Sequence, residues 1–248
     1  MRYLVLSDIH SNLEALEACL RAAGERYDEA VCLGDLVGYG PDPNPVIDNL
    51  GALTSKIIRG NHDKACCGLT EAEDFNPIAK IATFWTRQDL TPKHTEYLRA
   101  LPAGPVPVDG FQMVHGSVAD EDEYIVGPGQ ALVALKALTT PITLFGHTHH
   151  QGAFMLSSAQ GMRSAHGSSR KDGCILELPI EQDTRYLINP GSVGQPRDGD
   201  WRAAFAIFDA GGKKVEFYRT SYDLPRTQAK MKDAGLPEPL ITRLEIGR

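Results

Sequence analysis

The stretch Tyr3-Leu-Val-Leu-Ser-Asp8-Ile-His10-Ser-Asn12 decides how the rest of this chain is read. Four apolar or aromatic residues in succession predict a short buried strand that runs into a polar loop just after Ser7. Asp8 and His10 stand two apart, so in an extended segment both side chains leave on the same face. A carboxylate and an imidazole on one face, at the carboxyl end of a strand, can act as a metal-ligating pair. Taken alone the pair is a weak signal, since a solvated Asp and a loop His account for most isolated D-x-H patterns. It gains weight because the pattern returns along the chain.

Outward from this strand, Ser11 or Asn12 caps a helix through about Ala23, with Leu13, Leu16, Leu20 and Ala23 on one stripe and Gly24 as its stop. Ala30-Val-Cys-Leu33 reads as a second buried strand ending in Gly34-Asp35. A Pro-rich turn then starts a short helix near Pro45 to Leu50. Lys56-Ile-Ile-Arg59 reads as a third strand, ending in Gly60-Asn61-His62-Asp63. Strand, helix, strand, helix, strand at this spacing predicts a right-handed, largely parallel α/β arrangement. The middle is more helical, over Pro77 to Arg87 and Pro92 to Leu101, and Asp109-Gly110 marks a hairpin between Val106–Val108 and Phe111–His115. A helix over Gly129 to Leu138 precedes a strand over Ile142 to Phe145 that ends at Gly146-His147-Thr-His149. Strands then dominate, near Ala153–Leu156, Cys174–Leu178, Tyr186–Ile188, Arg202–Phe208 and Lys214–Arg219. The tail reads as two short helices broken around Gly235-Leu-Pro237. Ser157 to Asp172, rich in Ser and Gly, is expected to be mobile.

Composition bounds the function. A chain of 248 residues holds one large domain or two small ones, and because no repeat or linker divides it, residues 1–248 are expected to form a single domain. No apolar run approaches the roughly 18 residues of a membrane span, and the N-terminus enters a strand without a basic and apolar leader. Five cysteines, odd in number and without C-x-x-C, argue against a disulfide framework or zinc ribbon and for reduced thiols in a cytoplasmic protein. A net charge of −7 disfavours a nucleic-acid polymer as partner. Oligomeric state is left open.

Metal-competent side chains collect where candidate strands end: Asp8 and His10 after the first, Asp35 after the second, Asn61 and His62 after the third. His115 ends the hairpin, and His147 and His149 repeat the two-apart spacing. Open α/β sheets bind ligands at the carboxyl ends of their strands. His94, His150 and His166 are read as surface residues.

Asp8-Ile-His10, Gly34-Asp35, Gly60-Asn61-His62-Asp63, His115 and Gly146-His147-Thr-His149 resemble, in order and spacing, the motifs of the calcineurin-like metallophosphoesterases. The motif-bearing region covers roughly residues 1 to 150, and Asn189-Pro-Gly-Ser192 looks like the short bacterial and archaeal phosphodiesterase branch. The resemblance implies an α/β chain with a central β-sandwich flanked by helices. It implies one metal held by Asp8, His10 and His149, a second by Asn61, His115 and His147, and Asp35 bridging both. A carboxylate can hold two cations about 3.5–4 Å apart. Imidazole, amide and carboxylate donors without thiolate suit Mn, Fe, Zn or Co. The implied reaction is attack on phosphorus by a metal-activated hydroxide, with His62 protonating the leaving oxygen. Asp63 could orient His62 or cap a helix, and Arg197 could approach the phosphate or lie on the surface.

Protein Ser/Thr phosphatases of this superfamily carry an acidic residue and an arginine after the GD motif, where this chain has Val37-Gly38-Tyr39-Gly40. The departure favours hydrolysis of a phosphodiester, or a phosphomonoester, in a small and perhaps nucleotide substrate. The alternatives are a dinucleoside polyphosphate hydrolase, which a nucleoside pocket near Ser157–Asp172 would favour, a Ser/Thr protein phosphatase, or a binding module that lost catalysis.

Overall fold

The computed structural model describes residues 1–73 and 75–248. The opening strand is β1 (Arg2–Leu6), and its side chains are buried on both faces because they serve two cores. Leu4 and Leu6 pack with a helical layer, whereas Tyr3 and Val5 face a second sheet. Each such fully buried side chain contributes on the order of 1.5–3 kcal/mol.

The chain continues through α1 (Leu13–Ala23), β2 (Glu29–Cys32), α2 (Pro43–Leu53), α3 (Asn61–Cys66), α4 (Pro77–Asp89) and α5 (Pro92–Ala100). Next come β3 (Val106–Val108), β4 (Phe111–Met113), α6 (Pro128–Ala137), β5 (Ile142–Leu144), β6 (Gly152–Ser157) and β7 (Gly161–Ala165). The remainder is β8 (Gly173–Pro179), β9 (Thr184–Asn189), β10 (Ala203–Asp209), β11 (Lys214–Thr220), α7 (Leu224–Asp233) and α8 (Glu238–Arg243). Asn12 caps α1 by accepting from Ala15 N–H at 3.1 Å, and Pro opens α2, α4, α5 and α6, where its missing N–H costs nothing.

Two sheets result, ordered β2-β1-β10-β11-β8 and β3-β4-β5-β9-β6-β7. Between them Tyr3, Phe111, Met113, Tyr186, Ile188, Phe208 and Phe217 form one core. The outer face of the first sheet packs on α1, α2 and α5, and that of the second on α6 through Leu135, Phe145 and Leu187. This is the β-sandwich flanked by helices. Among the described residues no helix is long and apolar enough to cross a membrane.

Three expectations are corrected here. Pairing is parallel for β1–β2, β4–β5 and β5–β9 and antiparallel for the other strand pairs, so the chain is not largely parallel. Alternation in the first half could not reveal that β10, from the far end of the chain, lies beside β1. Lys56–Arg59 forms a single bridge, Ile57 to Cys32, because Arg59 N–H turns away to the Pro102 carbonyl. Within Ser157–Asp172, Gly161–Ala165 is strand β7, paired with β6 from Ala153–Ala165 to Ser157–Gly161.

Candidate metal centre

The parallel pairs β1–β2 and β4–β5 belong to different sheets, and the loops after their carboxyl ends meet over the inter-sheet core. Backbone bonds continue the β1–β2 pairing into the loops: Asp8 N–H donates to Gly34 O, His10 N–H to Asp35 O and Ser11 N–H to Leu36 O, at 3.0, 3.0 and 2.9 Å. On the other sheet Gly146 N–H donates to His115 O at 2.9 Å. Asn189 and Ser192 tie the two halves together. Asn189 Nδ2 donates to Gly146 O and Thr148 Oγ1, and Ser192 Oγ donates to Asp8 O.

Asp8, His10, Asp35, His147 and His149 all take the left-handed backbone conformation, with φ between 48° and 65°. The two-apart spacing of Asp8/His10 and His147/His149 therefore does not work through strand alternation, as the extended reading expected. These residues turn inward because the loops are wound left-handed. A non-glycine residue there is strained, and such strain concentrates at functional sites. Gly60 serves the same end differently: a Cβ there would overlap the Asp35 carboxylate.

The side chains converge. Asp35 Oδ2 lies 3.6 Å from His10 Nε2 and 3.4 Å from His115 Nε2, while His149 Nε2 lies 3.5 Å from Asp8 Oδ1 and 3.1 Å from His10 Nε2. Asn61 Oδ1 is 3.2 Å from His115 Nε2. Two groups, Asp8/His10/Asp35/His149 and Asp35/His115/His147, bring ligand atoms close enough to hold a metal ion, and Asp35 belongs to both.

Four rings are oriented from behind. His10 Nδ1, His115 Nδ1 and His149 Nδ1 sit against the carbonyls of Val37, Leu33 and Gln195 at 3.1, 2.7 and 2.6 Å, and His147 Nε2 against that of Asp122 at 3.0 Å. A carbonyl only accepts, so each of these nitrogens carries the N–H and the other ring nitrogen faces the centre. Such backing is how metal-ligating histidines are fixed. The second oxygen of Asp8, Oδ2, is buried without a hydrogen-bond partner among the described residues. Converging lone pairs and an orphaned carboxylate oxygen fit a cationic occupant.

Electrostatics agree. Burial lowers His10 and His149 well below the ordinary imidazole range, and burial with His115 nearby brings His147 down to about 3. Burial opposes the charge of Asp35, yet His115 and His62 hold its carboxyl well below the usual carboxylate range. Burial pushes Asp8 up to about 7, with Asp35 adding repulsion. His115 is held up at about 10 by Asp35 despite its burial.

The remaining predicted residues also find places. The His62 ring is buried between Tyr39 and Phe75, at centroid distances of 4.4 and 4.5 Å, and 4.9 Å from His10. Its Nδ1 has no partner among the described residues, and burial brings it down to about 4. Asp63 does not orient it: Oδ1 accepts from Leu36 and Val37 N–H and Oδ2 from Gly60 N–H, so Asp63 caps α3 and pins the Asp35 loop. Arg197 bonds through its own N–H to His149 O at 3.3 Å and holds its guanidinium over Tyr39, 5.7 Å from the ring centroid. His94 is buried, bonded to Asn44 and Asp48, not on the surface, whereas His150 and His166 are exposed. Sequence reading missed Tyr39, Asp122 and Tyr124. Tyr124 stacks on His147 at 3.7 Å, and Asp122 acts through its backbone carbonyl, which no residue type announces.

Comparisons with known proteins point the same way. A metallophosphoesterase from Sphaerobacter thermophilus superposes with a TM-score of 0.84 at 39% identity, covering 100% of this chain and 99% of that one. A hypothetical protein of Pyrococcus horikoshii shares the fold at a TM-score of 0.78 and 24% identity, covering 100% and 98%. An uncharacterized protein of Methanocaldococcus jannaschii is 33% identical over 261 residues, 98% of this chain and 97% of its own. Residues 1–213 match the calcineurin-like phosphoesterase superfamily domain. With the fold, the paired His/Asp clusters and this match in hand, the chain belongs to the calcineurin-like phosphoesterase superfamily.

Proposed function

We propose that the protein is a dimetal phosphoesterase that hydrolyses phosphodiester, and phosphomonoester, bonds of small substrates. The observation that carries this reading is the convergence of six buried His and Asp side chains whose ring nitrogens are already turned inward. Asp8, His10 and His149 would hold one cation, Asn61, His115 and His147 a second, and Asp35 both. When bound, two such ions, of the Mn, Fe, Zn or Co kind, would supply water activation and polarisation of the phosphoryl group.

The chain's own residues do the rest. Arg197 binds the phosphate and neutralises its charge, since a guanidinium matches phosphate geometry. His62 gives a proton to the leaving oxygen; an anionic phosphate beside it raises its pKa toward that task. Tyr39 holds His62 and Arg197 in place, its ring 4.4 Å from that of His62 and under the Arg197 guanidinium. The same reading takes residues 1–248 as one domain, supported by Met231, Leu240 and Ile241 of the C-terminal helices packing with Tyr39. A cytoplasmic location belongs with it, supported by five free cysteines.

The test is a hydrolysis screen of metal-reconstituted protein against bis(p-nitrophenyl) phosphate, p-nitrophenyl phosphate, dinucleoside polyphosphates and a phosphoprotein. Turnover of the diester at least comparable to the monoester is expected. A strong preference for the phosphoprotein would sink the small-substrate reading.

A further inference from the structure

The Asp122 carbonyl, 3.0 Å behind His147 Nε2, belongs to a stretch without helix or strand between β4 and α6. The carbonyl behind His115, by contrast, is that of Leu33, directly after β2. A strand fixes its own carbonyls through its ladder, whereas a loop carbonyl is only as well placed as the loop.

Two side chains that flank Asn61 hold this loop. Lys64 Nζ donates to both oxygens of Asp122, at 2.8 and 2.7 Å, and to Glu121 Oε1 at 3.0 Å. Arg59 grips the Glu121 carboxylate with two bonds, Nε to Oε2 at 3.1 Å and Nη2 to Oε1 at 3.0 Å. Arg59 stands two residues before Asn61, and Lys64 three after it, about one turn along α3. At its start the loop folds back so closely that a Cβ on Gly116, next to His115, would overlap the backbone of Glu121 and Glu123. Tyr124 then lays its ring on that of His147, with 3.7 Å between centroids. One loop therefore connects Asn61, His115 and His147, which come from three separate parts of the chain.

Stability does not account for burying these charges. The Lys64 side chain is only 7% exposed, and a desolvated ion pair about breaks even against apolar side chains of similar volume. Nor does the cluster draw in a cation, because the charges of Arg59 and Lys64 cancel those of Glu121 and Asp122. What directional contacts between short-tethered groups do supply is position.

We propose that Lys64 is a positioning residue for the second ion: by fixing Glu121 and Asp122 it aims the Asp122 carbonyl at His147 and keeps that ring turned to the centre beside Asn61. The inference rests on the dimetal reading above and adds to it a residue outside both candidate ligand groups. Without the ammonium, Asp122 loses its partner and its carboxylate is drawn to water, which takes the carbonyl away from His147.

The experiment is calorimetric titration of metal-free protein with Mn²⁺. The wild type should take up about two equivalents, the stoichiometry of two-metal sites. Lys64→Met, similar in length but uncharged, should keep one equivalent at wild-type affinity. The other should weaken by roughly 10–100-fold, the usual effect of removing a group that orients a metal ligand. Lys64→Arg, which keeps the charge and can serve two carboxylates, should bind both ions nearly as the wild type does. In a His115→Ala background, where the second site is already disabled, Lys64→Met should change the remaining equivalent by less than about twofold. Lys214→Met is the control. It removes a lysine shared by Glu177 and Glu216 at the end of the sheet where β1 starts, away from the metal-site loops, and should leave both equivalents unchanged. If Lys64→Met fails to fold, Asp122→Asn decides: its side chain is half-exposed, it keeps the carbonyl, and it should weaken the same equivalent. Both equivalents at wild-type affinity in the folded variant, or both weakened alike, overturn the inference. Two equivalents in the wild type with an indifferent Lys64→Met overturn the role of Lys64 alone, whereas a wild type that binds a single equivalent overturns the dimetal reading with it.

Discussion

His10 Nε2 and His149 Nε2 stand 3.1 Å apart, although 139 positions separate the two residues in the chain. Each ring spends its Nδ1–H on a backbone carbonyl, so both Nε2 atoms point lone pairs at one place. Lone pairs at that distance repel unless something positive lies between them. A proton is disfavoured, because burial holds both imidazoles well below their ordinary range. A metal cation is the partner this geometry accepts.

Asp35 is the test of a shared ion pair. Its carboxylate is 3.6 Å from His10 and 3.4 Å from His115, one in each candidate ligand group. Asp35→Asn keeps an oxygen for the bond it accepts from His62 N–H at 2.8 Å, so the fold should survive. Metal analysis should fall from about two equivalents, the stoichiometry of two-metal sites, to less than half of that. Full occupancy and rate in Asp35→Asn would remove it from the bridging position.

Metal uptake should release protons. Asp35 holds His115 up at about 10 despite burial, and burial raises Asp8 to about 7. Neither can ligate a cation until its proton has left. At neutral pH that loss opposes binding, and the opposition shrinks as pH rises toward each value. Affinity should therefore increase with pH between about 6 and 9. Calorimetric titration in two buffers of different ionisation enthalpy should show a net release of about one to two protons. Affinity flat across this range, with no proton release, would contradict the coupling.

Gln151 should matter for stability more than its neutral side chain suggests. It is buried, and its Nε2 serves the carbonyls of Pro190, Phe205 and Tyr218 at 2.9, 3.1 and 3.1 Å. Its Oε1 accepts from Arg219 Nε at 2.9 Å, and Arg219 in turn holds Asp198, the neighbour of Arg197. Gln151→Leu fills similar space but strands these groups, at about 1–3 kcal/mol for each buried group left unsatisfied. Urea denaturation should show a loss of at least about 2 kcal/mol on that scale. A loss under 0.5 kcal/mol, the size of an ordinary surface change, would mean that the network relaxes around the substitution.

The residues of the two candidate clusters were legible because their types and spacing carry chemistry: Asp8, His10, Asp35, His147 and His149 can be named as candidates before any fold is known. The element order was legible for a related reason, since Pro at helix starts and Gly24, Gly110 and Gly235 at turns act locally. What acts at long range was not. β10 inserting beside β1, and Ser192 reaching Asp8 O across 184 positions, leave no mark on local periodicity. Asp122 contributes only a carbonyl to His147, a group every residue has. The left-handed conformations of Asp8 and His10 were hidden because nothing but the surrounding loops enforces them.

His62 separates proton donation from metal holding. Its ring is buried against Tyr39 and Phe75 and 4.9 Å from the His10 ring, near the proposed ligands yet outside both candidate ligand groups. His62→Ala should keep both metals and lose roughly 10²–10⁴-fold in rate, the usual contribution of a positioned proton donor. An activated phenol leaves as a weak base and needs no proton, so its ester should show little of the loss. An alkoxide leaving group needs the proton and should show the loss in full. His115→Ala is the contrast: 3.4 Å from Asp35 and 3.2 Å from Asn61, it should weaken one metal and slow every substrate alike. Equal losses for phenol and alkoxide esters in His62→Ala, or a missing metal, would return His62 to a structural role.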